Sequence, residues 1–214
     1  MPNIKPIPQE HIQKKVNGII SEVLGNRYRK VCVSELHIKE DLRNDLSYIE
    51  CSVSIGNDLF SISGEGRGLV DALFEAALSS LQKHFVSLEN ITLHDFVIMA
   101  DTTKIYKKKS KTDATVEAAI FITNNQDGLF LFRHSCKSMI SASVLCIVKV
   151  FEYYINSELA VVHLKACIEN SKKRSRTDLT DRYVSLLSEL VRNVSYENTI
   201  NNIERLEMND KETT

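Results

Sequence analysis

The chain has 214 residues, 43% of them apolar and 26% charged, and a net charge of −1. That size holds one core domain with added helices or two small domains, and the near-zero charge supplies no global field to gather nucleic acid or anionic lipid. Three prolines and seven glycines argue against long disordered linkers, no stretch approaches the roughly 20 apolar residues of a membrane span, and the opening MPNIKPIPQEHIQKK lacks the apolar core of a secretory signal.

Five cysteines, Cys32, Cys51, Cys136, Cys146 and Cys167, are widely spaced with no CxxC pair. An odd, scattered set reads as reduced thiols in a cytoplasmic protein, with neither a disulfide frame nor a zinc site. Asn193-Val194-Ser195 fits the glycosylation pattern, but with no signal it reads as chance.

Residues 9–24 place Ile12, Val16, Ile19, Ile20, Val23 and Leu24 at helical spacing, and Gly25-Asn26 is a helix stop. Residues 30–39 read as a strand and DLRND as a polar turn. Ile49, Cys51, Val53 and Ile55 alternate with polar residues, the mark of a strand with one buried face. Gly56-Asn57-Asp58 is hairpin chemistry, LFSIS is a third strand, and a glycine run, Gly64-Glu65-Gly66-Arg67-Gly68, is read as the loop into a helix. Val70, Leu73, Phe74, Ala77, Leu78 and Leu81 form that helix's apolar stripe.

The same order then repeats. Residues 91–99 read as a strand, 104–111 as a basic loop, and Val116, Ala118, Ile120 and Ile122 alternate as the next strand. Asn124-Asn125-Gln126-Asp127-Gly128 reads as a turn, LFLFR as a strand, and a helix starts near Ser138. An offset of 70 carries Phe60 to Phe130, residues 64, 66 and 68 to His134, Cys136 and Ser138, and the stripe of the first helix to Ile140, Ala142, Val144, Ile147, Val148 and Phe151. Four elements in the same order with one stripe point to an internal duplication.

The expected fold class is therefore α+β, two βββα units about a pseudo-twofold axis with extra helices at both ends. Residues 1–27 form an N-terminal helix, 28–86 and 87–156 the two units, and 157–214 a helical extension. Within that extension Leu159, Val162, His163, Ala166 and Ile168 suggest a further helix, and Thr177 or Asp178 a cap for a last one.

The glycine run is the strongest chemical signal. Bare N–H groups at a helix start can hold a phosphate or carboxylate. The spacing is neither GxGxxG nor a Walker motif, which argues against dinucleotide binding. The alternative is that the glycines only permit a tight turn or close backbone approach. His134-Ser135-Cys136 sets a base beside nucleophiles, but neighbours on a strand point to opposite sides and no acidic orienter is evident. Glu65 and Asp71 read as an acid pair at a helix start rather than catalytic acids. Scattered histidines imply no metal, and Lys107-Lys108-Lys109 without interleaved aromatics is weak support for nucleic acid.

The stretch Ser63-Gly64-Glu65-Gly66-Arg67-Gly68-Leu69-Val70-Asp71-Ala72-Leu73 resembles the Gly-x-Gly-x-Gly-Pro-Val-Asp-Ala-Leu signature of the regulatory domain of 2-isopropylmalate synthase and citramalate synthase. Thr112-Asp113-Ala114 stands where that family opens the middle strand of its second unit. The resemblance covers residues 28–156. It implies two βββα units, a homodimer, and leucine or isoleucine as an effector, with Gly64, Gly66, Arg67, Gly68, Asp71 and Ala72 at the site. Arg67 stands where the family has a small or polar residue, and could pair with a ligand carboxylate or fill the pocket. Leu69 replaces the proline. The family's catalytic barrel, about 250 residues, has no counterpart in the 28 or so residues before the match. The expectation is a non-enzymatic regulatory-type domain with no cofactor, no nucleic acid and no membrane partner. It would bind a small amino acid or keto acid, dimerise, and act in trans on a catalytic partner chain. The alternative is a structural dimerisation module with no ligand.

Overall fold

The computed structural model describes residues 9–100, 115–124 and 128–194. The basic loop at 104–111, the motif at 112–114, residues 125–127 of the second turn, and everything after 194, Ser195 included, lie outside the described residues.

The architecture is mixed α+β, with two three-stranded antiparallel sheets and four helices. Helix α1 (Glu10–Leu24) ends at Gly25, whose φ of 50° is left-handed. Strands β1 (Val31–Asp41), β2 (Leu46–Ile55) and β3 (Asp58–Gly66) form the first sheet in that order, and α2 (Leu69–Leu81) follows. Strands β4 (Ile91–Ala100), β5 (Val116–Asn124) and β6 (Leu129–Cys136) form the second, followed by α3 (Met139–Lys173) and α4 (Thr177–Val194).

The sheets match in detail. An unpaired residue interrupts β1 at Ser34 and β4 at His94, the fourth position of each strand. Such a bulge flips the alternation, so Val31, Val33, Leu36 and Ile38 share a face, as do Ile91, Leu93, Phe96 and Ile98. Ile49 pairs with Gly64 and Ser47 with Gly66. Ala118 pairs with His134 and Val116 with Cys136. Residues 64 and 66 thus occupy the same ladder positions as 134 and 136, the offset of 70 read from the sequence.

The core lies between each sheet and its helix. Ile49, Cys51, Val53, Ile55 and Ile62 meet Ala72, Leu73, Phe74, Ala77 and Leu81, while Ile120, Ile122, Phe130 and Phe132 meet α3. The helices touch each other through Phe74 and Phe151, 5.6 Å between ring centroids. Leu129 to Phe132 are all buried, and α1, which packs chiefly on α3, also touches this strand. A strand covered on both faces reads as a continuous apolar run.

The further helix expected after residue 156 is instead part of α3, which runs unbroken through the 156/157 boundary for 35 residues. It contains no Gly or Pro. The polar pair Asn156-Ser157 is absorbed into the helix by hydrogen bonds. Ser157 Oγ donates to the Tyr153 carbonyl at 2.7 Å, and Asn156 Nδ2 to the Glu152 carbonyl at 2.8 Å. The helix ends within the basic stretch Lys172-Lys173-Arg174-Ser175-Arg176, with Ser175 at φ 54°. Helix α4 starts at Thr177 itself, and the preceding carbonyl of Arg176 accepts from Thr180 N at 3.0 Å. Ion pairs Lys15–Glu189 and Arg182–Glu22 tie α4 to α1.

Among the described residues α3 alone is long and apolar enough to cross a membrane, but 67% of its most apolar window is buried in the protein. That is the pattern of a core helix.

Candidate functional site

The run at 64–68 is not a loop. Gly64 and Gly66 lie within β3, and only Arg67 and Gly68 connect it to α2. Neither strand glycine has positive φ. They are needed because α2 descends onto the strand. A Cβ at Gly64 would sit 2.6 Å from Ala76 Cβ, and one at Gly66 2.6 Å from Ala72 N and 2.8 Å from Ala72 Cα. Close backbone approach therefore accounts for two of the three glycines. Gly68 is different, with φ at 91° and open space around it.

Gly68 is the N-cap of α2, and no side chain caps the helix. Asp71 in the first turn reaches back so that its Oδ2 accepts from Arg67 N at 3.0 Å. The amides of Leu69 and Val70 then have no intrahelical acceptor. The Arg67 side chain is exposed and forms no ion pair among the described residues. At the start of α3 the corresponding position is filled, since Ser138 Oγ accepts from Ser141 N at 3.2 Å. Of the two helix starts, α2's is the one left open to an anion.

A cavity of about 340 Å³ opens at this point. Arg67, Gly68 and Asp71 form its polar end, and Leu69 and Val70 extend it. Leu93, Phe96 and Ile98 of β4 make an apolar wall, and Met139, Ile140 and Ser143 of α3 close the other side. Met139 and Ile140 are Leu69 and Val70 displaced by 70 residues, so both helix starts contribute the same pair. One positive group, one negative group and a mostly apolar chamber suit a small molecule with a charged head and a hydrocarbon tail.

Of the six residues singled out from the sequence, Arg67, Gly68 and Asp71 line this cavity. Gly64, Gly66 and the fully buried Ala72 instead make the strand–helix contact. The β4 wall and α3's contribution were not singled out. The offset of 70 carried a signal for Met139 and Ile140, whereas nothing local marked Leu93, Phe96 or Ile98 as cavity residues.

The other candidates disperse. Ser135 Oγ donates to Glu117 at 3.3 Å, and the Cys136 thiol to the Ser138 carbonyl at 3.0 Å. His134 is half-buried with Nδ1 unpartnered, and burial together with the Lys149 cation lowers its pKa. These groups do not assemble around a reacting position. Burial pushes the Cys146 thiol up to about 11, far from a reactive thiolate. Glu65 lies in β3 opposite Tyr48, so only Asp71 serves the helix start. Among the described residues no three His, Cys, Asp or Glu side chains group as metal ligands.

No protein-family model matches the chain, and no curated protein matches it significantly.

Proposed function

We propose that the chain is a non-catalytic regulatory-type domain that binds a small amino acid or 2-keto acid with an apolar side chain. The observation that carries this reading is the cavity at the start of α2, where an arginine with no ion pair among the described residues and uncapped amides face an apolar chamber. The ligand carboxylate sits on Arg67 and the amides of Leu69 and Val70, where charge-assisted hydrogen bonds favour it. An ammonium group sits near Asp71, and the side chain lies against Phe96 and Ile98. Leucine and isoleucine fit this description.

The reading includes a duplicated βββα unit about a pseudo-twofold axis, supported by the matching bulges and ladder registers. It also includes a cytoplasmic homodimer that acts in trans on a 2-isopropylmalate synthase-like enzyme, supported by the resemblance of residues 63–73. A thermal-shift screen of the amino acids and their 2-keto acids tests it. A ligand at 100 times its Kd adds about 2.7 kcal/mol, a clear rise in Tm. A protein indifferent to all of them contradicts the reading.

One observation favours a ligand-free interaction module instead. Gly64 and Gly66 are explained by packing alone. If no small molecule binds, the exposed Met139 and Ile140 beside the cavity become the better candidates for function.

A further inference from the structure

A second cavity, of about 400 Å³, lies between α1 and α3 and has a different chemistry. Gln13, Asn17 and Ser21 of α1 face Lys149 and Glu152 of α3 across it, and Arg133 of β6, already ion-paired with Glu10 and Glu117, also lines it. Gln13 is 7% exposed, and its side-chain amide has no hydrogen-bond partner among the described residues. The amide opens onto the cavity, where its donor and acceptor can be met. Tyr153 lines the same space and holds a buried hydroxyl with no partner among the described residues.

The charges are arranged unusually. Lys149 Nζ donates to the Arg133 carbonyl at 2.7 Å and pairs with no carboxylate among the described residues. Glu152 accepts from Tyr28 Oη at 2.8 Å and from Val31 N at 3.1 Å, and forms no ion pair among the described residues. The two stand three residues apart on α3, a spacing that shares a helix face, yet they are not paired with each other. Each retains capacity, since an ammonium has three donors and a carboxylate about four lone-pair sites.

We propose that this cavity binds a small polar zwitterion of the α-amino-acid type, carboxylate on Lys149, ammonium on Glu152 and polar side chain on the Gln13 amide. A simple anion would meet Glu152 unfavourably, and a simple cation would meet Lys149. The polar walls select against the aliphatic ligand of the first cavity. This site stands independently of the reading of that cavity.

Isothermal titration of the full chain with L-glutamine and with L-serine tests the proposal, with glutarate and butylamine as single-sign controls. At least one of the two amino acids binds, and neither control does. Lys149→Met weakens that binding about tenfold or more. Asn17→Phe, which blocks the cavity from an exposed position of α1, does the same without touching the core, so it decides the matter if the lysine variant does not fold. Arg67→Ala leaves it unchanged. The proposal is overturned if neither amino acid binds, if glutarate or butylamine binds as tightly, or if Asn17→Phe retains wild-type affinity.

Discussion

At the scale of single residues, three glycines within five positions do two different jobs. Gly66 gives up its side chain so that Ala72 can approach, and an added methyl would meet backbone atoms that cannot swing aside. Gly66→Ala should therefore destabilise by about 1–3 kcal/mol through overpacking. Gly68→Ala should cost about 1–3 kcal/mol through backbone strain at φ 91°. Urea denaturation measures both. A Gly66 variant as stable as wild type would mean that α2 does not sit so close to β3. Arg67 is exposed and has no ion pair among the described residues, so Arg67→Ala should leave stability within about 0.5 kcal/mol. It should weaken a carboxylate ligand roughly ten- to hundredfold. A strong loss of Tm with unchanged affinity would make Arg67 a packing residue.

Two histidines give the chain a pH dependence of definite sign. Burial and the Lys149 cation lower the pKa of His134, and burial and the Arg27 cation lower that of His163. The unfolded chain thus binds protons on these rings more readily than the folded one. Their contribution is fully present above the unfolded value of about 6.5 and is lost as pH falls toward the folded values. Glu158 acts in the opposite direction, because burial raises its carboxyl. The difference between wild type and a His134→Ala variant isolates the ring. The variant's disadvantage should shrink as pH falls from 7 to about 5. A difference independent of pH over that range would rule the effect out.

At the scale of elements, Asn156 joins Glu152 in tying α3 to the segment that leads into β1. Asn156 is fully buried. Its Oδ1 accepts from Arg29 N, and its Nδ2 donates to the Arg29 carbonyl, both at 2.8 Å. Asn156→Leu would strand both backbone groups and should cost about 2–4 kcal/mol. If urea midpoints barely shift, Arg29 must have another source of hydrogen bonds.

Most of this level was legible in the sequence. Alternation identified β2 and β5, the hairpin at Gly56-Asn57 fixed the β2–β3 register, and the 3.6-residue stripe marked α2. Two features were not legible, for physical reasons. The glycine run looked like a loop because glycine is permissive, whereas here its small size serves helix packing, which only the fold discloses. The continuity of α3 was hidden because Asn156 and Ser157 are weak helix formers whose tertiary and i−4 hydrogen bonds appear only in the folded state. Arg67 and Asp71 could be located from the motif, but the wall of Leu93, Phe96 and Ile98 comes from a strand more than 20 residues away.

At the scale of the whole molecule, apolar side chains remain at the surface near the first cavity. Met139 is 56% exposed and Ile140 45%. Leu145 on α3 is exposed as well, while Val97 and Met99 are exposed on the face of β4 opposite Phe96 and Ile98. Clustered exposure of this kind marks contact surfaces. Light scattering at tens of micromolar should give twice the 24.3 kDa chain mass, and Ile140→Glu should reduce it to one chain. A monomeric wild type would remove the dimer from the account.

The central claim is that the cavity between the start of α2 and the β4–α3 wall holds a small apolar amino acid or its keto acid. Isothermal titration of L-leucine, L-isoleucine and their 2-keto acids into wild type and the Arg67→Ala variant tests it most directly. The account predicts saturable one-to-one binding of at least one of the four to the wild type, weakened roughly ten- to hundredfold in the variant. No heat from any of them, or equal affinity in both proteins, would contradict it.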